Sequence, residues 1–269
     1  MLLRNFKNLI SKFVKPPLFA GVSCFILACS SSPDSKKPNI STEDYVYMSE
    51  KDFSEHLAIL KQSFLAQPEI KIVPQNNLLK KYFDDLTKEI LGRNEIFYKN
   101  LSKANVTILN NDTPLHFSLP GGEVFLSTGL IIKYLKHESI LVSIISYELI
   151  KSEKNLYPKK SYIPTGYFSL ERMVSLNRLN LDEKMELHKW AYYMTIRTGH
   201  SGDYYLSWLQ TMNRNTADFV FLVGDINQIP REESLFKAFL IKSANEDIVV
   251  SKQSSSKEFY RVLNYLREI

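Results

Sequence analysis

Cysteine is nearly absent from this chain: 269 residues hold two, Cys24 and Cys29, both close to the N-terminus. A disulfide, a thiolate nucleophile and a thiolate metal site are therefore excluded from everything after Cys29. An exported form would depend on its hydrophobic core alone. An excess of positive charge is also missing from the body of the chain. The formal net charge is +5, but Arg4, Lys7, Lys12 and Lys15 stand in residues 1–28 without an acid, which leaves +1 for the rest. A near-neutral body with no basic stripe or aromatic-interleaved basic patch excludes nucleic acid as a partner. The glycine-rich blocks read as turns, and "GDI" at 224–226 is not a phosphate loop. No Ser-His-Asp signature is present. Histidine is limited to His56, His116, His137, His188 and His200.

An apolar run long enough to span a bilayer is missing as well. The N-terminus has instead a basic segment and a short apolar one, "PPLFAGVSCFILAC", which stops at Ile26-Leu27-Ala28-Cys29 and drops into "SSSPDSKKPNISTE". This pattern resembles the bacterial lipoprotein signal. The resemblance implies a signal peptide over 1–28, removal at Ala28, and acylation of Cys29, which becomes the mature N-terminus. Several acyl chains at ~0.8 kcal/mol per buried methylene would hold the protein on a membrane firmly. Ser30, in place of an aspartate, implies passage to the outer membrane, with the protein facing the periplasm. Residues 29–43 are Ser-, Pro- and Lys-rich and read as a flexible tether.

The body, 44–269, is expected to be one α+β domain, mostly helical with a small sheet. Helical spacing of Phe53, Leu57, Leu60 and Phe64 predicts a helix from Asp44 to about Gln67. Leu78, Leu79, Tyr82, Leu86 and Ile90 predict a second over Asn77 to Gly92. The period then changes to short strands at Val106–Leu109, Leu115–Ser118 and Glu123–Leu126, joined by Asn110-Asn111-Asp112 and Pro120-Gly121-Gly122. A helix capped by Ser127 or Thr128 follows, to about Lys136. The next, His137 to about Ser152, is apolar almost all round and so must be buried. From Ser169 the chain is mainly helical, with one segment from Leu181 to Thr198 that stops at Gly199 and resumes through "YYLSWLQTMN". "GDINQIPREE" reads as a loop, with a short helix from Ser234 and a last amphipathic helix over Lys257–Ile269.

One glutamate breaks the apolar pattern of the buried helix: "SIISYELIKSE", Ser143–Glu153, places Glu148 after Tyr147 and three residues before Lys151. Together with "LHFSLPGGEVFLSTGL", Leu115–Leu130, and "TIRTGHSG", Thr195–Gly202, this order resembles the zinc metallopeptidases of peptidase family M48, the HtpX-like and CAAX-prenyl-protease-like group. In their periplasmic members a strand and turn of the type "NAFALPGGYVFVTTGL" precede a helix bearing HExxH. The resemblance covers roughly 45–215 and implies a gluzincin-type domain with a hairpin beside an active-site helix. In that family two histidines at i and i+4 and a later glutamate from ExxxD hold zinc, and the Glu beside the first histidine takes a proton from metal-bound water.

Carried over residue by residue, the general base is kept as Glu148, while the first histidine position is Tyr147 and the second Lys151. The glutamate ligand falls near Lys184 and the motif aspartate near His188, with Glu183 or Glu186 as counterparts if the register slips. A protonated lysine offers no lone pair to a metal. No zinc or other cofactor is therefore expected, and the domain reads as an inactive pseudopeptidase. Of the histidines, His188 alone is placed to approach Glu148.

A buried unpaired Glu148 would be costly. Lys151, and with it Lys184, is expected to replace the metal's positive charge, with Tyr147 donating a hydrogen bond to the carboxylate. The alternative is that Glu148 reaches solvent and Lys151 lies on the surface. Peptidases of the resembled group lay a substrate strand along a sheet edge, so Gly121, Gly122, Glu123, Val124 and Phe125 are the candidate edge for an envelope polypeptide. The competing readings are an active metal-dependent endopeptidase with an unusual site and a purely structural lipoprotein whose cleft is filled by its own side chains.

Overall fold

The small sheet positions everything else. The computed structural model describes residues 50–157, 169–243 and 254–269. The expected signal at 1–28, the expected tether at 29–43 with Cys29, and 44–49 of the first expected helix lie outside the described residues. Within the sheet, β1 (Asn105–Leu109), β2 (His116–Leu119) and β3 (Glu123–Ser127) take the order β1-β3-β2. β3 is central: it runs parallel to β1, with Val106 opposite Val124, and antiparallel to β2, with Phe117 opposite Phe125. The turn between β2 and β3 needs glycine twice over at Gly122. Its φ is +77°, and a Cβ there would come within 2.7 Å of the Lys103 carbonyl.

Both faces of the sheet are covered, so strand alternation sorts residues between two cores. Phe117, Leu119 and Phe125 face one core with Phe53, Leu57 and Phe64 of α1 (Glu50–Leu65). The Phe117 and Phe125 rings stack at 4.7 Å across the pair, and Phe64 meets both edge-on. Val124 and Leu126 face the larger core. His116 and Ser118, alternating with Phe117 and Leu119, are turned toward that same side.

There the buried helix α4 (Glu138–Glu153) packs on the sheet, on α2 (Asn77–Arg93), on α6 (Leu181–Arg197) and on α7 (Asp203–Arg214). Every residue of α4 except Tyr147 is buried, as its all-round apolar pattern requires. Ser127 caps α3 (Thr128–Tyr134) by accepting from Leu130 N at 3.1 Å. Asn180 and Glu183 form a capping box at the start of α6. Gly199, at φ +85°, ends α6 with paired bonds from Gly199 N to Ile196 O and His200 N to Thr195 O.

The remaining helices are α5 (Leu170–Leu176), α8 (Thr216–Val223), α9 (Gln228–Ser243) and α10 (Lys257–Glu268). The expected loop at 224–233 is a correction. Only 224–227 connects, and the helix begins at Gln228 rather than Ser234. Pro230 falls in its first turn, where a missing N–H breaks no intrahelical bond. Part of the segment after Ser243, like 158–168, lies outside the described residues. The coarse fold class is α+β, mostly helical with a three-stranded sheet. Among the described residues no helix is long and apolar enough to cross a membrane.

Candidate functional site

Five elements aim polar side chains at one small cavity of about 60 Å³, room for a few water molecules. From α4 come Tyr147, Glu148 and Lys151, one turn of helix apart. β2 brings His116, α6 brings Lys184 and His188 at i and i+4, α7 brings Tyr205 and Trp208, and α9 brings Glu232. The alternation of β2 explains His116: with Phe117 and Leu119 committed to the α1 side, the residues between them must face α4.

Glu148 is 1% exposed. Its nearest partner is His116, whose Nδ1 lies 2.6 Å from Oε1. A carboxylate can only accept, so Nδ1 donates. Lys151 Nζ stands 3.8 Å from Oε2, close enough for attraction and too long for a hydrogen bond. The ammonium itself is fixed by donating to Asn177 O and Asn177 Oδ1, both at 3.0 Å. Burial alone would raise the Glu148 pKa; the Lys151 charge and then the His116 hydrogen bond and charge outweigh it and bring the carboxyl down to about 2. Burial pulls Lys151 below the ordinary lysine value, with Glu148 opposing and the Lys184 charge adding to the fall.

A second ionic group faces the first across the Tyr147 ring. Lys184 Nζ donates to Glu232 Oε1 at 2.7 Å and to Gln228 Oε1 at 3.3 Å. His188 Nε2 donates to Glu232 Oε2 at 3.2 Å, and His188 Nδ1 lies 2.9 Å from the Tyr205 hydroxyl. Burial would raise Glu232, but the His188 hydrogen bond and the Lys184 charge hold it below the usual carboxylate range. The Tyr147 ring centroid is 6.1 Å from that of His116 and 5.3 Å from that of His188. Burial, then the charges of Glu148 and Glu232, push the Tyr147 phenol well above its ordinary value and keep it neutral. Two carboxylates and two ammonium groups thus balance inside the molecule. The third cation of the lining, Arg178, donates to the Phe221 and Leu222 carbonyls.

Several expectations need correction here. Tyr147 makes no hydrogen bond to Glu148 among the described residues; its ring separates the two ionic groups instead. It is His116, and not His188, that reaches Glu148. Neither Glu148 nor Lys151 reaches the surface, at 1% and 3% exposure. Glu183 is spent on the α6 cap and Glu186 on a surface pair with Lys189, so Lys184 and His188 are the residues that α6 turns to the cavity. The proposed peptide edge fails because β3 is the middle strand. The Gly122 N–H donates to Ser152 Oγ at 2.9 Å, Glu123 pairs with Lys61, and Val124 and Phe125 are wholly buried between β1 and β2.

Sequence reasoning missed several participants, among them His116, Glu232 and Asn177. His116 had a signal: two polar residues, His116 and Ser118, share one face of an otherwise apolar strand, which a buried sheet tolerates only opposite polar partners. Glu232 was hidden by the misread loop, and Asn177 gave no signal at all.

The site does not fit zinc. A protein zinc site needs at least three converging donors, and among the described residues no group of three or more His, Cys, Asp or Glu side chains is placed to hold a metal ion. Lys151 and Lys184 bring ammonium groups into the same cavity, and these repel a cation. No protein-family model and no curated protein matches the chain.

Proposed function

We propose that this chain is a lipid-anchored protein of the bacterial envelope, built on a metallopeptidase-like scaffold whose metal centre has been replaced by internal ion pairs. Acylated Cys29 attaches it to the outer membrane, and the body faces the periplasm without hydrolysing peptides. One observation carries the reading: Lys151 and Lys184 lie in the cavity that Glu148 faces, at the positions where the resembled peptidases have metal ligands. The order of elements supports it, with a hairpin and Pro-Gly-Gly turn, a short helix, a buried helix with one internal glutamate, and then α6 crossing it. Glu148 is then the vestige of a general base, holding its charge by pairing with Lys151 and His116 instead of activating water.

The size of the cavity favours a structural role for the old cleft over a peptide-binding one. About 60 Å³ is far below the roughly 300 Å³ at which ligand pockets begin. Any polypeptide partner in envelope assembly is met by another surface. Purified full chain is expected to carry no stoichiometric zinc and to leave casein intact, with or without a chelator. Stoichiometric zinc with chelator-sensitive cleavage would return the chain to the active metallopeptidases.

A further inference from the structure

Aromatic side chains break the surface where α6 meets α9 and the end of α2. Trp190 is 41% exposed and Ile96 is 65% exposed. The Trp190 ring packs on Phe97 at 5.1 Å, and Tyr193, one turn along α6, packs on Phe239 of α9 at 5.8 Å. Leu235, also exposed, lies one turn before Phe239 on the same side of α9. The ridge lies outside the ionic cavity, and Phe97 covers only part of the Trp190 ring, leaving the rest open to water. The chain's other tryptophan, Trp208, is 3% exposed.

The charges beside the ridge select its partner. Arg197 stands over the Phe97 ring at 5.6 Å and donates to the Arg93 carbonyl. Neither guanidinium of Arg93 or Arg197 has a carboxylate partner among the described residues, whereas Lys189 is paired with Glu186. Arg93 and Arg197 thus set two guanidinium groups beside the exposed rings. Guanidinium groups recognise phosphate by paired hydrogen bonds, and Trp and Tyr favour the headgroup level of a bilayer, where one end of the ring is apolar and the other wet.

We infer that this ridge is a membrane-resting face, with Trp190 and Ile96 inserted among phospholipid headgroups and Arg93 and Arg197 against their phosphates. The inference rests on the lipid anchor proposed above. A patch of this size and charge binds weakly alone. The expected tether, 29–43, would hold the domain near the bilayer at an effective concentration on the order of millimolar, and weak contact then suffices to fix orientation.

Trp190 makes the test direct. Lipidated full chain is reconstituted into phosphatidylethanolamine and phosphatidylglycerol vesicles whose acyl chains carry bromine, a contact quencher of indole emission. Wild type should lose emission relative to unbrominated vesicles, and Trp190→Phe, which leaves the buried Trp208, should lose little. Arg93→Glu with Arg197→Glu should reduce the quenching while the chain still floats with the vesicles. Flotation without Trp190 quenching would overturn this face and leave the anchor standing. A wild-type chain that does not float would overturn the anchor and this proposal with it. Trp190 shielded already in detergent, in a dimeric chain, would assign the ridge to a second copy and overturn the proposal.

Discussion

Lys151 counterbalances a carboxylate that has no access to bulk water, and that fact sets the residue-scale predictions. Removing one partner of a buried pair typically costs about 3–5 kcal/mol, because the other charge is left behind. Lys151→Met should therefore destabilise the protein by that order in urea unfolding, and adding Glu148→Gln should recover much of the loss. A Lys151→Met variant as stable as wild type would show that His116 alone neutralises Glu148. The pH dependence follows from the Glu148 carboxyl lying at about 2 against an ordinary 4.5. A depressed carboxyl stabilises the fold above its unfolded value, and the benefit is lost as pH falls from 4.5 toward 2. The amount at stake is about 3 kcal/mol. The stability advantage of wild type over Glu148→Gln should thus shrink across that window and stay flat above it. Glu148, Lys151 and Lys184 were legible in the sequence because charges in an apolar or motif-aligned helix demand a reason. His116 was legible only in its strand alternation, and Glu232 only after its helix was known.

Secondary structure was most legible where period and caps agreed. The boundaries of α2, α3, α4, α6 and α10 fall within two residues of those expected, since apolar spacing, Ser127 and Gly199 mark them independently. The short strands were also found, yet their order was not, because pairing partners are decided by long-range packing that no local pattern encodes. Hence β3 was taken for an edge when it is the centre. Its amides from Val124 to Leu126 should exchange with solvent more slowly than those of β1 or β2, measured by native-state hydrogen exchange. Edge-like rates there would contradict the observed order. On the other side of α4, Ser143 Oγ donates to Ser139 O at 2.7 Å and accepts from Thr195 Oγ1 at 3.2 Å, with no exposed surface. This is a close α4–α6 contact, so Ser143→Leu should overpack it and cost about 1–3 kcal/mol in the same unfolding assay.

At the scale of the whole molecule, α4 is the axis on which the larger core and the ionic cavity depend. Its first turn is also tied to the C-terminal helix. Glu138 accepts from Tyr82 OH at 2.8 Å, from Ser256 N at 2.7 Å and from Ser256 Oγ at 2.7 Å, joining α2, α4 and α10. Charge pairs hold the centre of this scaffold together, and if they replaced a metal, as proposed above, the exchange should be reversible by design. Tyr147→His, Lys151→His and Lys184→Glu combined would place two imidazoles and a carboxylate around Glu148. Metal content after dialysis against zinc, compared between this triple variant and wild type with folding checked by circular dichroism, is the most direct measurement. About one zinc in the folded variant and none in wild type is the expected result. Zinc bound stoichiometrically by wild type, or a folded variant that takes none, would contradict it.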